Sequence, residues 1–231
     1  MSTTVAPEPL YRLLAWLSPA YPVGAFSYSH GVETAIEKGL IADRAGLVAW
    51  IESVLDLGTG RVDGALLAAA WRSVASADWS GFERLVERAA AWRGTAETAL
   101  ESRQQGASFL SITRTAWPAP ALDEVQARSG GEVALAVAVG AAAAAHGIAL
   151  PAALGGFLHA FAANLVSAAV RAVPLGQSDG QIALAALEPA VARAAASALS
   201  VEDLDEVGTA APLLDWCSMR HETQYTRLFR S

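Results

Sequence analysis

Residues capable of nucleophilic chemistry cluster in one short segment, LSPAYPVGAFSYSHG, at residues 17–31. Ser27 and Ser29 have the hydroxyl of a nucleophile, and His30 has the imidazole of a general base. Residues this close in sequence rarely reach the required geometry unaided, and such a serine more simply caps a helix. The segment also lacks the G-x-S-x-G pattern of a nucleophile elbow. We therefore predict no catalytic residue in this loop.

A second pair of residues has metal-ligating side chains at helical spacing. Cys217 and His221 stand four residues apart and would share one face of a helix, as half of a metal site does. Two ligands do not close a site, and a buried cysteine beside a surface histidine is the commoner arrangement. The residues predict no bound metal, and a metal carrier that uses Cys217 and His221 stays as the alternative.

Composition and motifs exclude two further classes of function. The 231 residues carry a net charge of −7, which disfavours general binding to nucleic-acid phosphates. No G-x-x-x-x-G-K-[ST] motif occurs, and the single lysine, Lys38, lies outside any glycine-rich loop, so we expect no P-loop nucleotidase. The lone cysteine fits a reducing cytosol, and residues 1–15 show no secretory signal.

The elements that must position these residues are predicted to be helices. Leu47, Ile51 and Val54 form one apolar stripe at helical spacing, and no window alternates with period two. Connections are short, so we predict an all-α fold: a single-domain helical bundle of roughly ten helices over residues 1–231, with a C-terminal tail at 219–231. The predicted helices are 8–17, 29–39, 43–57, 62–76, 80–92, 95–113, 121–128, 132–146, 151–173, 178–199 and 212–221, with Pro189 kinking or restarting the tenth. Loops are predicted at 18–28, 58–61, 117–120 and 174–177.

One long uncharged stretch raises the question of a membrane. Residues 133–170 contain no Asp, Glu, Lys or Arg and are long enough to cross a bilayer. Much of the stretch is alanine and glycine, which gain little from lipid, and Gly147 and Pro151 divide it. We expect two buried helices that pack through small side chains, and no membrane segment.

Two segments before the tail carry residues that suit a protein interface. In residues 17–31, Pro22 and Gly24 shape a stiff loop that presents aromatic side chains at low entropic cost. In AAVRAVPLGQ, residues 168–177, a helix is expected to stop before Pro174. Arg171 in its last turn either complements the helix dipole or projects toward a partner.

The third such segment is the tail, MRHETQYTRLFRS, at residues 219–231. Three arginines against one glutamate give residues 220–231 a charge of +2 on an acidic chain. If the tail were helical, Tyr225, Leu228 and Phe229 would share one face. We predict a tail that orders when a partner covers it, and the alternative is a tail folded against its own core.

Together and in this order, the three segments resemble the UreF family of urease accessory proteins. The first segment is similar to the family pattern L-P-x-G-x-[FY]-S-x-S-x-G-L-E, and the last resembles the family's terminal motif. Ala25 and Val32 depart from the pattern where glycine and leucine are frequent, and Ala99 replaces an arginine of a helix motif that includes Glu97 and Gly106. The matching positions of the first segment are Pro22, Gly24, Phe26, Ser27, Ser29, Gly31 and Glu33.

The resemblance implies a cytoplasmic all-α protein that is a homodimer in its working complex and catalyses no reaction. Such proteins join UreD, also called UreH, and the GTPase UreG in a complex that activates apo-urease. GTP hydrolysis by UreG would accompany nickel insertion, so the complex handles nickel and GTP and this chain binds no cofactor. The alternative is a direct nickel carrier that uses Cys217 and His221.

The resemblance also implies which residues contact partners. The tail is expected to order on UreD, and Arg171 becomes a candidate for contact with UreG. The implied partner-binding residues are Pro22, Gly24, Phe26, Ser27, Tyr28, Glu33, Arg171, Gln177, Arg220, His221, Glu222, Tyr225, Arg227, Leu228, Phe229 and Arg230.

Overall fold

A computed structural model describes residues 7–172 and 175–231 of the chain. Within those residues the protein has twelve α-helices, two short 3-10 turns and no β-strand, which confirms the predicted all-α bundle. In chain order the helices, α1 to α12, are Pro7–Trp16, Val32–Glu37, Arg44–Leu57, Thr59–Ala75, Trp79–Ala91, Ala96–Ala116, Pro120–Ser129, Leu135–Ala145, Leu150–Ala172, Gln177–Ala186, Glu188–Ser200 and Pro212–His221.

The core is built around α8, whose central residues are all small or β-branched and buried. Helices α4, α6 and α9 pack against it. Small side chains let these backbones approach closely. One such close approach is between α6 and the segment that precedes α8. A Cβ atom at Gly106 would overlap the backbone at Val133 and Ala134, so only glycine fits there.

Helix α9 reaches from the core to the candidate site. Among the described residues it is the one helix that is long and apolar enough by itself to cross a membrane, and half of its most apolar window is buried inside the protein. Helices α10 and α11 pass the same test only as a pair bent by 43°. Core helices commonly have this composition, and α9 packs against α2, α4, α8 and α11.

Most predicted helices are present, and the differences have local causes. The predicted loop at 58–61 is wrong, because α3 and α4 are separated by Gly58 alone. The predicted helix 29–39 shortens to α2, since His30 and Gly31 both take left-handed backbone angles. The predicted helix 178–199 restarts as α11, with Pro189 in its first turn, as expected. Residues 173 and 174, which end one predicted helix and begin a predicted loop, lie outside the described residues, as do residues 1–6.

Candidate partner-binding site

The three segments that the sequence singles out meet at one corner of the protein. The backbone N–H of Ser29 donates to the carbonyl of Ser231, and the N–H of Arg230 donates to the carbonyl of Ser27, both at 2.8 Å. Arg171, in the last turn of α9, donates from Nη1 to the carbonyl of Phe26 at 2.8 Å. The opening loop is therefore held between the end of α9 and the tail.

The opening loop is shaped by its backbone and by a serine. Gly24 has a φ of 75°, which is left-handed, and it leads into a 3-10 turn over Ala25–Ser27. Ser29 Oγ accepts from the N–H of Glu33 at 3.3 Å in the first turn of α2, although the N-cap position of this helix is Gly31. Phe26 remains exposed, whereas Tyr28 is buried.

His30 does not form a nucleophilic pair with the neighbouring serines. Its Nδ1 lies 3.2 Å from Glu101 Oε2, and its Nε2 lies 2.7 Å from Thr59 Oγ1. Glu101 Oε2 also accepts from the hydroxyl of Ser231 at 2.8 Å. Burial disfavours the charged carboxylate, but His30, Ser231 and Arg93 outweigh it and hold the pKa of Glu101 below its usual range.

The tail is folded against the core of its own chain. Helix α12 ends at His221, and the residues after it form an irregular segment instead of a helix. The common face of Tyr225, Leu228 and Phe229, expected if the tail were helical, does not form: Phe229 is 5% exposed, Leu228 is 67% exposed and Tyr225 is fully exposed. The prediction of a tail that orders only under a partner is corrected accordingly, because the chain itself supplies the tail's contacts.

A charged cluster fixes the tail: Glu33, Glu97 and His221 are buried, and Arg227 reaches Glu97 from the surface. His221 is fully buried, with Nδ1 2.9 Å from Glu97 Oε2 and Nε2 3.0 Å from Glu33 Oε2. Arg227 Nη2 donates to Glu97 Oε1 at 2.7 Å. Burial raises the pKa of Glu97 above its ordinary value, while His221 and Arg227 act in the opposite direction.

Glu33 connects this cluster to the tail backbone. Its Oε1 accepts from the N–H of Leu228 at 2.8 Å, and its Oε2 accepts from the N–H of Phe229 at 3.1 Å. These N–H groups would otherwise lack partners, and a carboxylate is a strong acceptor for them. A residue of the opening motif therefore recognises the backbone of the terminal motif.

Several of the remaining predicted residues are exposed or lie over aromatic rings. Arg220 lies over the ring of Trp216, and Arg230 lies over the ring of Tyr28, with distances of 5.9 and 6.0 Å to the ring centroids. Pro22, Glu222 and Gln177 are exposed, and Gln177 is the first residue of α10. Burial lowers the pKa of Arg171 below its ordinary value.

In the part of the chain that the structure describes, Cys217 and His221 have no third ligand. Among the described residues, no group of three His, Cys, Asp or Glu side chains is arranged to hold a metal ion. Both ring nitrogens of His221 already face carboxylates, and burial raises the pKa of the Cys217 thiol to about 11. A metal bound to one ring nitrogen of His221 would have to interrupt the contact of that nitrogen with its carboxylate, and a metal bound to Cys217 would require a buried thiol to ionise.

A cleft lies beside the site, between the opening loop, α6 and α9. Its volume is about 260 Å³, and its walls include Phe26, Arg93, Ser102, Phe161 and Asn164. The Nε of Arg93 and the hydroxyl of Ser102 are buried and have no hydrogen-bond partner among the described residues. A molecule that enters the cleft would therefore meet a largely apolar wall that includes several aromatic rings.

Sequence reasoning missed the role of two glutamates on α6. Glu97 and Glu101 are four residues apart, so they lie on one face of the helix, and both point into the protein. Periodicity alone treats charged residues as surface residues. The signal that could have revealed them is that each has a histidine partner, His221 or His30, in a segment already considered unusual.

These observations define the class of protein: an all-α bundle in which an N-terminal loop, the end of a long apolar helix and a C-terminal tail form one composite surface. A family model described as UreF matches residues 41–188. The urease accessory protein UreF of Granulibacter bethesdensis is 52% identical over 222 residues, which cover 96% of this chain and 94% of that protein. The UreF proteins of Methylorubrum populi and Rhodopseudomonas palustris BisB5 are 51% and 47% identical, with at least 95% of each chain covered.

The chain therefore belongs to the UreF family of urease accessory proteins. The family model begins after the opening loop and ends before the tail, whereas the relatives match nearly the whole length of the chain. The resemblance expected from the three segments is confirmed.

Proposed function

We propose that this chain is a non-catalytic scaffold and regulator of urease maturation. It acts in the cytoplasm, binds UreD (UreH) and the GTPase UreG, and is required for GTP-dependent insertion of nickel into apo-urease. The observation that supports this proposal is the meeting of all three family segments at one corner, where Arg171 contacts both the opening loop and the tail. Nickel and GTP are handled by the partners.

The exposed side chains of the tail are the proposed contacts with UreD. Tyr225 and Leu228 project from a tail whose backbone is held by Glu33, so they are presented at little entropic cost. Arg220 and Arg230 add positive charge beside them. Exposed aromatic, aliphatic and arginine side chains on a fixed backbone are typical of interface centres.

Co-expression with UreD, followed by size-exclusion chromatography, tests this assignment. We expect the double substitution Tyr225→Ala and Leu228→Ala to abolish co-elution with UreD and to leave thermal unfolding unchanged. Ile182→Ala is the matched control, because Ile182 is an exposed aliphatic residue on α10. Co-elution of the double variant at the wild-type level would remove the tail from the proposal.

Deletion of residues 220–231 is a less selective test. It removes buried Phe229 together with His221, which pairs with Glu33 and Glu97, and so it exposes carboxylates and core surface. If the truncated protein failed to bind UreD, the failure could result either from a damaged fold or from the loss of a direct contact. Point substitutions at exposed positions avoid this ambiguity.

Arg171 is the proposed contact with UreG. It is exposed at the end of α9, but its guanidinium is engaged with Phe26 and Phe229, so an arginine-finger role would require it to leave both. A role of Arg171 in positioning the GTPase would require only contact at the protein surface. We expect Arg171→Ala to change GTP turnover by UreG in the complex, or urease activation, while the exposed Arg84→Ala on α5 changes neither. If GTP turnover and urease activation were both unchanged, the proposed contact with UreG would be rejected and Arg171 would act only within the chain.

The proposed homodimer is supported by an apolar face on α1. Leu10, Tyr11 and Leu14 are exposed at helical spacing. A second copy that covers this face would bury three large side chains. Light scattering on the purified complex should show a mass that contains two copies of this chain, and Tyr11→Arg should lower that mass. An unchanged mass would exclude this face.

A further inference from the structure

The buried imidazole of His221 has a carboxylate at each end. Nδ1 lies 2.9 Å from Glu97 Oε2, and Nε2 lies 3.0 Å from Glu33 Oε2. A neutral imidazole has one N–H and one bare nitrogen, so it cannot donate to both carboxylates. A bare nitrogen facing an ionised carboxylate at this distance would be repulsive. The cluster therefore contains one more proton than a neutral histidine and two carboxylates have.

The other contacts of the two carboxylates show where this proton resides. Both oxygens of Glu33 accept from backbone N–H groups, those of Leu228 and Phe229, in addition to His221. Glu97 Oε1 accepts from the guanidinium of Arg227. Donors that surround a carboxyl group favour its ionised form, and at Glu97 they act against the burial that raises its pKa. Glu33, with two backbone N–H donors, is the carboxylate that these contacts most favour as an anion, and the same donors favour the imidazole as the place of the extra proton.

We propose that His221 is a doubly protonated imidazolium that positions the tail by orienting Glu33 and neutralising both buried carboxylates. With Arg227 charged, two positive and two negative groups balance within the cluster, which is the condition under which buried charges are tolerated. Glu222 is a nearby negative group that faces Glu97, and Cys217, one turn earlier on α12, is a neutral thiol. The imidazolium holds Glu33 in place, and Glu33 in turn holds the N–H groups of Leu228 and Phe229.

This inference concerns the isolated chain, so it does not depend on the proposed function. It assigns His221 a positioning role inside the molecule, whereas the sequence suggested a direct contact with a partner. Binding of UreD could fail while His221 is an imidazolium, and it could succeed while His221 is neutral. The two proposals are therefore tested separately.

The direct test is nitrogen NMR of the full-length protein labelled in its histidine rings. We expect both ring nitrogens of His221 to have the chemical shifts of protonated nitrogens at pH 7.5. The exposed His159 is the internal reference for an imidazole in solvent. A bare nitrogen at Nδ1 or Nε2 of His221 would overturn the proposal, since the proton would then reside on a carboxyl group.

Substitutions test the positioning role by hydrogen exchange at the amides of Leu228 and Phe229. We expect His221→Gln to accelerate this exchange on the order of a hundredfold, because it leaves two buried carboxylates with one cation. His159→Gln is the matched control and should leave the exchange unchanged. Circular dichroism of each variant reports whether the bundle is folded, and the nitrogen shifts decide the outcome if His221→Gln does not fold.

A double substitution separates charge balance from shape. If His221 is charged, Glu97→Gln restores the balance that His221→Gln disturbs, so the double variant should exchange more slowly than His221→Gln alone. If the proton instead resides on Glu97, the single substitution Glu97→Gln mimics the native acid and should leave tail exchange at the wild-type rate. That result, or two effects that simply add, would contradict the proposal.

Discussion

The guanidinium of Arg171 lies over the ring of Phe229, 4.5 Å from its centroid, and joins the end of α9 to the tail. The same guanidinium donates to the carbonyl of Phe26 in the opening loop. One side chain therefore connects all three segments that carry the family resemblance. A cation over an aromatic face and a charged hydrogen bond are each worth on the order of 1 kcal/mol in partly exposed settings.

Replacing Arg171 should weaken this corner without unfolding the bundle. We expect Arg171→Ala to reduce the free energy of unfolding by about 1–2 kcal/mol, which lowers the melting temperature by roughly 2–8 °C for a chain of this length. Arg171→Lys should recover part of the loss, because a lysine can lie over Phe229 but lacks the planar fork that also reaches Phe26. Thermal unfolding followed by circular dichroism measures the melting temperatures of both variants. An unchanged melting temperature for Arg171→Ala would contradict a stabilising role for the contacts of Arg171 with Phe26 and Phe229.

Glu33 is predicted to be the most sensitive residue of α2. Glu33→Ala removes the acceptor of two tail amides and leaves His221 with one carboxylate. Breaking a buried charged network typically costs about 3–5 kcal/mol, and chemical denaturation should show a loss of that size. The matched control is Glu37→Ala, because Glu37 is on the same helix and its one ion pair among the described residues is with the exposed Lys38. Its effect should stay within about 0.5 kcal/mol, and equal effects at the two positions would refute the assignment.

The bundle was predictable from the sequence because its signals are local. Apolar stripes such as Leu47, Ile51 and Val54 define a buried helix face without reference to the rest of the chain, and all three are buried. Pro189 marks a helix start for an equally local reason. The end of α3 at Leu57 was predicted, but the start of α4 was placed at 62 instead of Thr59, because Gly58 and Gly60 were interpreted as loop residues.

The path of the tail was not predictable in the same way. It depends on contacts between residues far apart in sequence, such as Glu33 with Leu228 and Glu97 with His221. Helical periodicity in the tail places Tyr225 and Phe229 on one face, but the chain turns after His221 and separates them. The family resemblance located the important segment without revealing that the segment docks on its own core.

Substitution of alanine for two glycines, Gly106 and Gly155, should change the stability of the protein in different ways. At Gly106 a Cβ would overlap the backbone at Val133, whereas at Gly155 on α9 it would meet nothing within 4 Å. We expect Gly106→Ala to destabilise the protein by about 3 kcal/mol or more, since α6 and the segment before α8 would have to separate. Gly155→Ala should leave the isolated chain as stable or raise its stability by up to about 1 kcal/mol through helix propensity. Urea denaturation of the two variants provides the comparison, and a tolerated Gly106→Ala would show that the α6–α8 contact is looser than described.

The Cys217 thiol should make stability depend on pH in the alkaline range. Burial raises its pKa from an ordinary value of 9.0 to about 11, so the folded chain keeps a proton that the unfolded chain loses. The thiol has no effect on the pH dependence below pH 9.0, and stability falls as the pH rises from there to about 11. The fall attributable to this group is on the order of 2–3 kcal/mol.

Tyrosine side chains also titrate in this pH range, so the contribution of the thiol is measured by comparing the wild-type protein with Cys217→Ala. In Cys217→Ala the cavity left by sulfur lowers stability at every pH, but the contribution of the thiol to the slope disappears. Denaturation of both proteins from pH 8 to pH 11 should therefore give curves that converge as the pH rises. Parallel curves would mean that the thiol ionises as readily in the folded chain as in the unfolded one. Because a metal binds the thiolate, parallel curves would also restore the nickel carrier that uses Cys217 and His221, while converging curves disfavour it.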